Sequence, residues 1–202
     1  MKPLPLVLVL CGGAVLAACA TPAPPPTTSI ADRQCVASPA LAAATALSLP
    51  SNRVRVTLDG TAPCVEANGS RSVYTVFRLP EAEAEYLLSL TSAPLGQGLF
   101  YPRVTVLDAN GGMLREIPRE TFVFRGNTLS LGLRMRPAEE YLLVMSDPET
   151  TGESISRIED STSMMAVPVG VGAMMIHQGA STTANYTYAY NGVITVSTSE
   201  AP

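Results

Sequence analysis

The chain has 202 residues, 13 basic and 17 acidic, and only 15% of it is charged. Every cation but Lys2 is an arginine, and these are scattered from Arg33 to Arg157, so there is neither a basic footprint for nucleic acid nor a polybasic segment for anionic lipid. A single histidine and no tryptophan leave little for a metal set, a catalytic triad or an indole stacking surface.

The chain opens MKPLPLVLVLCGGAVLAA: one positive charge, an uncharged apolar run, then small residues, which describes a secretory signal. The run falls short of the ~20 residues a helix needs to cross a bilayer. Its end, Leu16-Ala17-Ala18-Cys19, resembles the lipobox of bacterial lipoproteins. That resemblance implies that residues 1–18 are removed and that the Cys19 thiol takes a diacylglycerol. Its freed amine would then take a further acyl chain. One chain holds a protein to a membrane only marginally, whereas two or more anchor it stably. The tract ATPAPPPTTS follows from Ala20, and its prolines favour an extended tether over residues 19–30. Ala20 is not the aspartate that resembles an inner-membrane retention signal, so the expected location is the outer membrane, facing the periplasm.

With Cys11 lost in the signal and Cys19 acylated, Cys35 and Cys64 remain. An even pair in an exported chain predicts a disulfide, with two unpaired buried thiols as the alternative. Residues 31–202 make one domain's worth of chain. The alanine-rich SPALAAATALSLP, Ser38 to Pro50, predicts one short helix. Strands are predicted near Val54–Leu58, Val73–Leu79, Tyr86–Leu90, Val104–Asp108, Thr121–Arg125, Leu129–Met135 and Tyr141–Ser146. The punctuation between them is Asp59-Gly60, Asn68-Gly69, Asn110-Gly111-Gly112 and Gly126-Asn127. Such spacing predicts an all-β fold, an antiparallel β-sandwich of jelly-roll type with one short N-terminal helix. The polar residues 149–163 predict a surface loop or short helix. MMAVPVGVGAMMIHQG, from Met164, is too short and broken to span a membrane and predicts a buried, irregular strand pair. Last comes YTYAYNGVITVST, where Asn191-Gly192 between alternating apolar residues predicts a two-residue hairpin.

Chemistry is sparse. No G-x-S-x-G elbow accompanies His177, and a lone histidine after Ile176 is structural or superficial in most settings. Glu81, Glu83 and Glu85, or Glu139 with Glu140, could supply a carboxylate pair for glycoside hydrolysis. Their placement beside turns fits solvated edges that discourage strand pairing. The expectation is a non-enzyme without cofactor or metal. Tyr186, Tyr188 and Tyr190 fall on one strand face, as a stacking platform for a ligand or as core packing.

The block from Phe100 to Glu149 resembles the MalM (maltose-operon periplasmic protein) family. The resemblance rests on Phe100, Pro102, Leu107, Asp108, Phe122, Phe124, Tyr141 and Leu142, with Val73–Leu79, Pro80 and Tyr86–Thr91 upstream and NGVITV downstream. The same Leu-Asp-x-x-Gly texture is similar to small jelly-roll domains appended to secreted peptidases. MalM resemblance implies an exported, non-catalytic accessory protein linked to maltose- or maltodextrin-type uptake; the lipid anchor is implied by the lipobox at Cys19, since the MalM pattern carries an ordinary soluble export signal. Its partners would be the membrane through its lipid, and an oligosaccharide or an envelope transport protein. The competing reading is a structural or assembly lipoprotein docking on an outer-membrane or periplasmic partner.

Overall fold

A computed structural model describes residues 25–67, 69–169 and 172–200. The first strands are β1 (Thr45–Ala46), β2 (Ser51–Leu58), β3 (Cys64–Ala67), β4 (Ser70–Arg78), β5 (Tyr86–Ala93), β6 (Gly98–Leu99) and β7 (Pro102–Leu107). The later ones are β8 (Met113–Ile117), β9 (Val123–Arg125), β10 (Thr128–Met135), β11 (Tyr141–Ser146), β12 (Ser154–Val169), β13 (Gly172–Tyr188) and β14 (Gly192–Glu200). They form a six-stranded sheet, β1-β4-β11-β7-β8 with β3 also on β4, and a five-stranded sheet, β2-β14-β5-β10-β9. A third sheet holds β12-β13-β6. Among the described residues no helix is long and apolar enough to cross a membrane.

The main core gathers Phe77 of β4, Val104 of β7 and Leu142 of β11 from one sheet. Leu88 and Leu90 of β5, Leu129 of β10 and Ile194 of β14 come from the other. β5 and β10 alternate buried with more exposed positions, as strands with one covered face do. β4 and β11 instead carry continuous buried runs, because their outer face is covered too. A second cluster there holds Val65, Tyr74, Val76, Leu107 and Leu143, with Leu41 and Ala44 packed on it. The N-terminal segment is therefore a cover over the six-stranded sheet. The Cys35–Cys64 disulfide ties it to β3, and the Ala40 N–H donates to the Tyr74 hydroxyl at 3.0 Å.

Three expectations are corrected. The jelly-roll sandwich with an N-terminal helix is replaced by three sheets, two of them mixed: β1 pairs parallel to β4, and β6 parallel to β13. Within Ser38–Pro50 only a single 3-10 turn, Leu41–Ala43, forms before β1 docks on β4. A short helix gains little alone in water, and the open edge of β4 offers hydrogen bonds that outweigh alanine propensity.

The predicted C-terminal hairpin is absent as well. β13 pairs with β12 and β6, whereas β14 pairs with β2 and β5 in another sheet. Asn191 is a buried crossover residue, its Oδ1 accepting from the Thr27 N–H at 2.8 Å. Gly192 is required by space, since a Cβ there would lie 2.6 Å from the Phe100 Cβ.

The third correction concerns residues 149–179. In place of a surface loop and a buried strand pair, β12 and β13 make one long hairpin arm, paired from Ser154↔Thr187 to Val169↔Gly172. Its root is held by β6, by Ile155 and Tyr186 against the core, and by Arg157, whose guanidinium sits 3.6 Å from the Phe124 ring centroid. Outward of the root, Ile158, Met164, Met165, Met174 and Met175 are all exposed.

Candidate functional site

A polar concavity opens where three chain segments end together: the start of β7, the end of β8 with the 3-10 turn Arg119–Thr121, and the loop after β11. Pro102, Arg103, Glu116, Ile117, Pro118, Arg119, Asp147 and Glu149 line a cleft of about 390 Å³. A second cavity of about 450 Å³, lined by Tyr101, Thr150, Glu153 and Tyr188, also includes Arg119 and Glu149, so Arg119 stands between the two.

Asp147 builds the floor. It is 7% exposed, and its N–H donates to the Tyr101 carbonyl at 3.0 Å. Its Oδ1 accepts from the Glu149 N–H at 3.0 Å, and its carbonyl accepts from the Thr151 hydroxyl at 2.9 Å. Aspartate suits this turn because its short acceptor reaches the backbone two residues on. The Arg119 Nη1 then lies 3.4 Å from Glu149 Oε2 and 3.7 Å from Asp147 Oδ2. Across the cleft Arg103 is paired with Glu116, and this hydrogen bond raises the arginine pKa above its ordinary value.

Tyr101 and Tyr188 meet edge to face, with centroids 5.0 Å apart and planes at 77°. The Tyr101 hydroxyl donates to the Arg119 carbonyl at 3.3 Å. Burial pushes the Tyr188 phenol up to about 12, with Tyr101 adding to the rise, and burial also raises Tyr101. Both therefore stay protonated at neutral pH. The cleft presents guanidinium donors and carboxylate acceptors, and the second cavity adds phenol edges, groups that can hydrogen-bond hydroxyls. Among the described residues no group of three or more His, Cys, Asp or Glu is placed to hold a metal.

The residues singled out from sequence scatter. Cys19 lies outside the described residues. Cys35 and Cys64 are bonded to each other in the N-terminal cover. Of the tyrosine stripe, Tyr188 and Tyr190 are buried and Tyr186 is half-buried, packed against the core, so the three do not form an open platform. Of the three, Tyr188 alone lines the second cavity beside Arg119. Glu139 is occupied: its side chain is 6% exposed and accepts from Nε and Nη2 of Arg115, at 2.8 and 3.2 Å. Glu81 and Glu85 pair with Arg78 and Arg134 near the surface. His177 stands opposite Met164 in the arm. Arg103, Arg119, Asp147 and Glu149 carried no local signal, because strand pairing alone collects them. Proline beside Tyr101 and the acidic turn after β11 were the only hints.

A family model described as "Maltose operon periplasmic protein precursor (MalM)" matches residues 69–194, more than half of the chain. The chain belongs to the MalM family. Every residue named in the two cavities falls inside the matched span of this family member. Comparison with curated proteins finds no match. Among solved structures it is similar to the pre-peptidase C-terminal domain of a collagenase from Bacillus anthracis, at 11% identity and a TM-score of 0.33. That superposition covers 77% of this chain and 93% of the other, and at this TM-score it bears on neither fold nor function.

Proposed function

We propose that this MalM-family protein is a lipid-anchored, non-catalytic envelope protein accessory to the uptake of maltose- or maltodextrin-type sugars, and that it contacts saccharide in the Arg119 cleft. Residues 1–18 act as the export signal, Cys19 carries the lipid, and residues 19–30 tether a single domain to the periplasmic face of the outer membrane. The observation that carries the reading is the family match, whose printed description is of a periplasmic maltose-operon protein and whose span includes the whole cleft. The chemistry of the cleft supports it. Guanidinium and carboxylate groups can bracket neighbouring sugar hydroxyls, and each such hydrogen bond has a net worth of roughly 1–3 kcal/mol.

A handful of such bonds, offset by ordering of the ligand, corresponds to a Kd of about 1 mM. The test is calorimetric titration of linear maltooligosaccharides into the protein, beside the Arg119→Ala variant and a reducing-end assay on the same sugars. Saturable binding that Arg119→Ala weakens about tenfold, the loss of one such bond, is the expected result. Absence of binding at ~10 mM sugar, ten times that Kd, ends the saccharide reading. Protein-dependent release of reducing ends ends the non-catalytic one.

A further inference from the structure

The hairpin arm carries an apolar end that the sugar cleft does not use. Met164 and Met165 on β12 are 64% and 62% exposed, and Met174 and Met175 on β13 are 52% and 57% exposed. Consecutive strand residues point to opposite faces, and Ala166 stands opposite Met175 while Val167 stands opposite Met174. Met164 and Met175 therefore share one face, and Met165 and Met174 share the other. An arm that lay against another sheet would be apolar on a single face; this one is apolar on both. No Asp, Glu, Lys or Arg occurs from Ser161 to Ser199, so its outer part has no carboxylate, lysine or arginine to desolvate and none guarding its edges.

What covers the methionines is indicated by where the N-terminal segment is fastened. Thr27 is held at the root of this same arm: its carbonyl accepts from the Tyr190 N–H at 2.8 Å and its N–H donates to Asn191 Oδ1 at 2.8 Å. From Thr27 back to Cys19 an extended, proline-rich tether reaches only about 25 Å. From Ser154 at the root to Met164 the arm already measures about 34 Å, and the partners of Met175 and Met174 lie farther out. The methionines thus extend past the reach of the tether. An arm turned toward the membrane and inclined to it brings them to the headgroup–acyl boundary, the ~5–10 Å depth at which amphipathic elements lodge. At that depth water still reaches the open strand edges, so no backbone group is stranded in hydrocarbon.

We infer that the methionine-bearing end of the β12–β13 arm inserts shallowly into the leaflet to which the protein is anchored. This rests on the acylation of Cys19 proposed above. The contact fixes the height and tilt of the domain, which a flexible tether alone leaves free. It is an apolar contact without basic residues, so it is insensitive to salt and to anionic lipid content.

The test uses the mature, acylated full-length protein, in which Cys19 is blocked and Cys35 and Cys64 are bonded. Single cysteines at Met165, Met175 or Thr183 carry an environment-sensitive fluorophore, on vesicles of phosphatidylethanolamine and phosphatidylglycerol. The mass of the N-terminal peptide is read in parallel. Expected are a blue shift and a severalfold gain in emission at both Met165 and Met175, quenched by lipid-borne quenchers and unchanged by salt, with Thr183 on the stem remaining wet. Acylated protein whose methionine probes stay wet overturns the inference and leaves the anchor standing. Probes that dry without lipid, in proportion to protein concentration, assign the arm to a second copy and overturn it too. An unacylated terminus removes the anchor, and the inference with it.

Discussion

Gly192 stands so close to Phe100 that a Cβ added to the glycine would fall 2.6 Å from the Phe100 Cβ and 2.8 Å from its backbone nitrogen. The contact occurs at the crossover where the chain leaves β13 for β14, beside the completely buried Phe100 ring. Gly98 faces the same crossover, its missing Cβ overlapping the Asn191 side chain at 2.5 Å.

Gly192→Ala is expected to lower stability by about 1–3 kcal/mol, the usual cost of overpacking a closed core. Denaturant unfolding checks it. An unchanged midpoint would mean that Phe100 moves aside freely, contrary to its packing.

The Arg115–Glu139 pair should behave as a buried charge pair. Glu139 also accepts the Arg136 N–H at 2.9 Å, which fixes the turn before β11. Arg115→Ala strands a carboxylate that is only 6% exposed, and is expected to cost about 3 kcal/mol. Double replacement, Arg115→Met with Glu139→Gln, should recover part of that loss. A double variant as unstable as the single one would contradict the pairing.

Reduction of Cys35–Cys64 opens a crosslink of sequence separation 29, worth roughly 3.5 kcal/mol in the chain-entropy treatment. The N-terminal cover should loosen first, exposing residues 31–46 to limited proteolysis while the cleft stays folded. Thiol counting on unfolded, unreduced protein comes before that measurement, and two free thiols there would contradict the bond.

Alkaline pH offers a test of the tyrosines. Burial raises the phenol pKa of Tyr188 to about 12, against an unfolded value near 10. The unfolded phenol therefore loses its proton first, so stability is fully present below pH ~10 and declines as pH rises from there toward 12. Tyr86 adds to the same decline, its hydroxyl buried without a hydrogen-bond partner among the described residues and its pKa raised chiefly by burial. Tyr86→Phe should be nearly neutral at pH 7, and Tyr86→Phe and Tyr188→Phe should each flatten the alkaline loss. A loss that keeps its slope in both variants would place the cause elsewhere.

Strand positions were legible wherever local pattern sufficed. Tyr141–Ser146 forms the strand its apolar run predicts, and Leu129–Met135 falls within β10. The Gly126 turn between β9 and β10 takes the positive φ, 61°, that its neighbours implied. Alternation and turn chemistry are properties of a few adjacent residues, so a single sequence displays them. Which strands pair is a property of distant residues, and the misreadings lie there. Asn191-Gly192 has the composition of a tight turn, yet glycine is needed beside Phe100 for room, a demand visible only once Phe100 has been brought there. The methionines have the composition of a core, and apolar character alone does not say whether a partner surface exists within the same chain. The cleft was the least legible of all. Arg103, Arg119 and Asp147 converge only because β7 pairs with both β8 and β11, and long-range pairing of this kind leaves no trace in the spacing of the residues it assembles.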